Sequence, residues 1–298
     1  VEIKQGVDAT KVEAIVDEEI RRLLAEGPTQ AELDQARTVF KAGFIRGIER
    51  IGGFGGKADV LAECTVFTGD PGCYRNDLAV LDAATPASVQ AAGKAWLSQG
   101  DMTLLVTPGD RPALVEDKST AREGYVSPPI PAVDPKFTTT ASTVDRSKGP
   151  PMPETFPALA FPALQRATLA NGMKVVLAER PGLPVVQMSM EFRGGFAADQ
   201  GRRLGTSSFT MGMLDEGAGD LDALQFGDRA ESLGAQVGAG ASLDGGNAFL
   251  SALTENLDDS IGLFADMLRR PSFAADDVER VRATWLAGIK QEKARPNS

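Results

Sequence analysis

Ten of the 18 prolines lie between residues 111 and 163, and no other feature limits the fold so strongly. Proline fixes φ and lacks the backbone N–H, so helix interiors and central strands exclude it. The run VSPPIPAVDPKFTTTASTVDRSKGPPMPETFP has little periodic hydrophobicity, and ten Ser or Thr accompany the prolines of 111–163. That composition reads as an extended linker. It is too long for a loop inside one compact domain. The predicted organisation is therefore a domain over 1–110, a linker over 111–163 and a second domain over 164–298.

The first domain reads as mostly helical. Val12, Ile15, Val16, Ile20, Leu23 and Leu24 recur at helical spacing after Asp8, a suitable N-cap, and Gly27-Pro28 stops the run. Thr29 and Glu32 form a capping-box pattern ahead of a second helix. Gly52, Gly53, Gly55 and Gly56 break that helix, and short helices are expected from Lys57 to Phe67 and from Asp77 to Ala83. Thr85-Pro86 opens another, through Trp96. MTLLVTP at 102–108 reads as a buried strand. The second domain mixes strands and helices. Asn171-Gly172 between two apolar runs signals a hairpin, 184–195 a third strand, and 235–253 two strands joined at Asp244-Gly245-Gly246. Helices are expected at Leu204–Leu214, Leu221–Leu233, 255–268 and 276–292. Hairpins in place of βαβ crossovers predict an α+β fold: two α/β sandwiches, each with helices packed on a mostly antiparallel sheet.

Charge and composition exclude several functions. The formal charge is −10, and no segment is net basic, so a nucleic-acid footprint is not expected. No run of 18 apolar residues occurs, so no membrane-spanning helix is expected. Cys64 and Cys73, nine apart, form neither a zinc site nor a C-x-x-C redox pair; a local disulfide and two free thiols both remain open. The first residues carry no initiator Met and no signal-peptide pattern, and the last follow a helical stretch without a closing element. A piece of a longer chain is expected.

The chain contains no histidine. That removes Ser-His-Asp triads, Cys-His dyads and histidine-ligated zinc from its repertoire. Other motifs fail on spacing. A phosphate loop ending at Lys57 would need glycine at 51 and Ser or Thr at 58, where Ile51 and Ala58 stand. Gly238-Ala239-Gly240 has Leu243 in place of a third glycine, and no serine is followed by lysine three residues later. Asp215-Glu216 and Asp258-Asp259 are adjacent carboxylates, and neighbours on a helix do not face each other. Asp276 and Asp277 suit the positive end of a helix dipole.

Several stretches, in order, resemble the pitrilysin/insulinase family of inverzincin zinc metallopeptidases. LANGMKVVLAERPGLPVVQMSMEFRGGFAAD is similar to the family's Asn-Gly hairpin and the strand ending in Gly-Gly. GTSSFTMGMLDEGAG, then AESLGAQVGAGASLDGGNAFLSALTENLDDSIGLFADMLRRPSF, then DDVERVRATWLAGIKQEKARP follow. Within 1–110, ERIGGFGGKADVLAECTVFTGDPGCYRNDLAVLDAATPASVQAAGKAWL resembles the closing half of a preceding repeat. The resemblance implies a helix bearing H-x-x-E-H and a later helix supplying a glutamate ligand. In the register set by Phe209, Met213 and Leu214, Ser208 and Gly212 stand in the histidine positions and Met211 in that of the general base. The later glutamate falls near Gly288, and an acidic residue seven before it near Val281. These positions carry no catalytic residue, no cofactor-binding residue and no metal ligand, and a different metal held by Ser208 with Asp215 or Glu216 has little chemical support.

The resemblance further implies a clamshell in which one half binds zinc and an inert half closes a chamber around unfolded peptide. This chain is then expected to be the end of one repeat and the start of a degenerate one, inactive alone, with zinc only in the active half of a parent protein. The implied partners are that active half or subunit and unfolded peptide substrates, and the implied setting is bacterial, periplasmic or otherwise extracytoplasmic. A non-enzymatic scaffold or assembly subunit of the same family is the alternative.

Overall fold

The computed structural model describes residues 3, 6–107, 109, 145, 147, 149, 155, 158 and 160–295. Of the linker expected over 111–163, only 145, 147, 149, 155, 158 and 160–163 are among the described residues. Residues Val1–Asp101 and Arg180–Ser298 make one compact unit, and Met102–Glu179 make another.

The larger unit begins with five helices whose ends follow the capping chemistry of the sequence. Helix α1 (Ala9–Glu26) starts where the Asp8 carboxylate accepts from the Thr10 amide, and Gly27 ends it at φ 76°. Helix α2 (Gln30–Gly47) carries the full Thr29/Glu32 capping box. Helix α3 (Lys57–Thr68) ends at Gly69 in the left-handed region. Helix α4 (Tyr74–Ala83) follows, and α5 (Pro86–Trp96) opens on Thr85, which caps through Ser88. A disulfide joins Cys64 in α3 to Cys73 at the start of α4, which resolves the question that the spacing left open. The Gln90 amide donates to the carbonyls of Leu24 and Ala25, tying α5 to α1. Arg37 donates to the carbonyls of Leu81 and Ala84, tying α2 to the end of α4.

The same unit contains a three-stranded antiparallel sheet. Its strands are β3 (Val185–Arg193), β4 (Gln236–Ala241) and β5 (Gly245–Leu253), in the order β3-β5-β4. Alternation along β5 sends Gly246, Ala248, Leu250 and Ala252 to the buried face. Helices α7 (Ala223–Ser232) and α8 (Leu257–Arg269) contribute Phe226, Ala230, Leu263, Phe264 and Met267 to the same core. Two shorter or less buried helices complete the unit: α6 (Thr206–Met211) and α9 (Ala275–Lys293), the second with no buried residue.

Helix α2 packs on the core segment through its Ala42 face. Gly234, at φ 60°, lies so close that a Cβ there would stand 3.0 Å from the Ala42 Cβ and 3.1 Å from Thr38. Half-buried Arg46 completes the joint. It donates to the Ser251 hydroxyl at 2.9 Å, to the Ser251 carbonyl at 3.0 Å and to the Gly234 carbonyl. Burial pulls its pKa down.

The smaller unit contains the Asn171-Gly172 hairpin, with β1 (Leu164–Thr168) antiparallel to β2 (Lys174–Ala178). The Asn171 side chain accepts from the Met173 amide, and Gly172 takes φ 86°. Every pair in both sheets is antiparallel, so the α+β class holds.

Two expectations need correction. Residues 102–107 form no strand, and Met102, Leu104, Leu105 and Val106 are exposed. An apolar run becomes a strand only when neighbouring backbone pairs with it, and no other strand of the described residues does so. Consequently the described part of the first domain shows helices alone. The buried helix expected over Leu204–Leu214 shrinks to Thr206–Met211, with Leu204 78% exposed. Gly205 at φ 86° starts it late, and the chain turns out of it at Gly212.

Candidate functional site

The positions singled out by sequence sit on α6 and α9. Helix α6 is anchored from behind. The buried Asp199 carboxylate accepts from the Ser207 amide at 3.0 Å and from the Ser207 hydroxyl at 2.8 Å. Those two bonds, the amide first, hold its pKa below the ordinary carboxylate range.

A cleft of about 340 Å³ opens between α6 and α9. Ser208, Phe209 and Gly212 line one side; Val281, Thr284 and Trp285 line the other. On α9 the spacing 281, 284/285, 288 is a single helix face. The structure thus brings Ser208, Gly212 and Val281 together. Gly288 continues the α9 stripe but is exposed, with open space where a side chain would stand. Met211 does not enter the cleft: its terminal carbon and sulfur rest over Gly246 of β5, packed against the core.

Trp285 and Arg280, which the sequence reading did not single out, shape this place together with residues that it did. The Phe209 and Trp285 rings stack with centroids 5.5 Å apart. Gly205 lies under the Trp285 ring, where a Cβ would approach to 2.8 Å. Arg280 bridges Glu216 and Asp277, and the two carboxylates raise its pKa further. Asp215, beside Glu216, stays exposed as a residue, yet protein atoms crowd its carboxyl; desolvation raises its pKa and the Glu216 charge adds a smaller push. The i, i+4 relation of Val281 to Trp285, with Phe209 inside the aligned pentapeptide, was the signal available for the aromatic pair.

The donor set does not fit zinc. Ser208 offers one hydroxyl; Gly212, Val281 and Gly288 offer no side-chain donor, and Met211 faces the sheet. Among the described residues no group of three or more His, Cys, Asp or Glu gathers as a metal site. The other acidic pairs sit at helix starts. Asp258 and Asp259 occupy the first turn of α8, with Asp259 bound to Arg229, and Asp276 and Asp277 open α9. Gly238 accommodates the Phe249 ring, which a Cβ would meet at 2.9 Å. No helix among the described residues is long and apolar enough to cross a membrane.

Comparison with known proteins finds partial matches. Residues 174–297 match the profile of insulinase, peptidase family M16. A protein of Helicobacter pylori described as the non-peptidase homolog YmxG is 26% identical over 120 residues, which is 40% of this chain and 28% of that protein. Among solved structures, a peptidase M16 inactive domain from Pseudomonas fluorescens is 32% identical, at a TM-score of 0.43, over 45% of this chain and 33% of that one. A protease from Helicobacter pylori is 23% identical at a TM-score of 0.33, over 39% and 28%. The chain therefore spans about a third or less of the length of these relatives.

Proposed function

We propose that this chain, which carries an M16-like segment at 174–297, is a catalytically inactive portion of an M16-type protein that contributes chamber wall and interdomain contact to an active half elsewhere. One observation carries the reading. The cleft between α6 and α9, where the family resemblance calls for ligands, holds Ser208, Gly212 and Val281 around a stacked aromatic pair. The name of the Helicobacter relative, a non-peptidase homolog, agrees with it.

In this reading, residues 1–110 are the closing half of one repeat, 111–163 the linker and 164–298 the opening half of a degenerate second repeat. Ser208, Met211, Gly212 and Gly288 are its vestigial positions. The Arg46 joint between α2 and the β5 region is then the contact through which the two halves meet. The Cys64–Cys73 disulfide favours an oxidising compartment, in keeping with a periplasmic or other extracytoplasmic bacterial setting. The partners are the active half or subunit and the unfolded peptides it encloses.

Metal analysis of the purified chain, with a peptidase assay on an unfolded protein, tests this. No stoichiometric zinc and no cleavage are expected. One tightly held zinc per chain with chelator-sensitive cleavage would overturn it.

A further inference from the structure

We propose that the α6–α9 cleft is a receptor for one basic side chain of an extended peptide, its aliphatic stem on the Trp285–Phe209 pair and its cation at Glu216. This rests on the reading of the chain as an inert wall facing unfolded peptide and gives that wall a chemical preference.

The floor and the rim supply different halves of the recognition. The aromatic pair gives an apolar surface, and Trp285 remains 38% exposed, so a methylene stem can cover it. The rim is short of positive charge. Glu216 and Asp277 share one guanidinium, that of Arg280. A second cation relieves that shortage.

Arg280 is the built-in competitor. Half of its side chain is exposed, and an ion pair in that setting contributes about 1 kcal/mol or less. An incoming arginine or lysine can therefore share or take Glu216 at small cost. A space of about 340 Å³ suits one long side chain and not a folded partner.

The test uses the full chain with Trp96→Phe, which leaves Trp285 as the only tryptophan. Acetylated, amidated glycine pentapeptides with a central arginine, lysine, citrulline or glutamate are titrated while Trp285 emission is read. The arginine and lysine peptides are expected to bind about fivefold or more tighter than the citrulline peptide, and the glutamate peptide weakest. Glu216→Gln should weaken arginine binding by about fivefold. Arg280→Gln should strengthen it by about threefold, a direction that loss of structure would not produce. High salt should reduce the preference.

Equal binding of arginine and citrulline peptides, indifference to Glu216→Gln, weaker binding in Arg280→Gln, or no response up to about 10 mM peptide would each overturn the proposal. Zinc content and peptide integrity are measured in the same samples. Bound zinc or cut peptide would instead overturn the inert-wall reading, so the two failures are told apart.

Discussion

The sheet-bearing segment and the five opening helices belong to one compact unit but are held together by different physics. In the first, Met213, Leu250 and Met267 are almost completely buried, and Ala248 and Ala252 let α7 and α8 close on β5. In the second, α1, α4 and α5 contain no buried residue. There the order comes from end caps, side chains that donate to distant carbonyls, and one disulfide. A burial-held region resists loss of any single polar contact but not a cavity. A clip-held region behaves the other way round.

The sharpest way to break that contrast is a cavity. Met267→Ala should destabilise the core segment by about 2–5 kcal/mol in chemical denaturation, whereas Val80→Ala, at a site 71% exposed in α4, should stay within about 0.5 kcal/mol. Equal effects would mean that the two regions share one core. Next in size is the disulfide. Replacing both Cys64 and Cys73 by serine should cost about 2–3 kcal/mol, with faster amide exchange concentrated in α3 and α4 and little change in β5. Arg46→Ala tests the seam between the regions. It strips the Gly234 and Ser251 carbonyls of a buried donor and should cost about 1–3 kcal/mol, raising exchange on both sides at once.

Smallest is a pH effect within the core segment. The folded pKa of Asp199 is depressed, so its contribution is present at neutral pH and is lost as pH falls through the folded value. Protection factors of the α6 amides should fall below about pH 4, and Asp199→Asn should remove that dependence.

The helix starts were legible because they are local. Asp8, Thr29 and Thr85 each cap within three residues, so sequence spacing alone specifies the bond. The Asn171-Gly172 hairpin was legible for the same reason. Residues 102–107 were misread because pairing is non-local: the apolar pattern of a strand says nothing about whether a partner arrives. The candidate site was half legible. Alignment pointed to Ser208 and Gly212, but the side chains that fill and rim the cleft, Trp285 and Arg280, lie more than 60 residues away, and only folding sets them beside Phe209 and Glu216. Gly288 was placed on the correct face of α9 yet beyond the cleft.

The seat of Met211 bears on what position 211 can offer to a reaction. Its thioether rests over Gly246, among Phe192 and the core of the sheet. In the proposed register a general base would have to stand at 211. A carboxylate following the same path would bring an unpaired charge against apolar neighbours, at a cost of about 3 kcal/mol or more. To point it at the cleft, α6 would have to rotate away from β5 and surrender the packing that Met211 provides. Histidines placed at 208 and 212 alone would therefore still lack a general base in the cleft. The sulfur thus acts as a keel for α6: its contact with the sheet sets which way the helix faces, so a polar side chain at 211 would disturb folding before it could offer any chemistry.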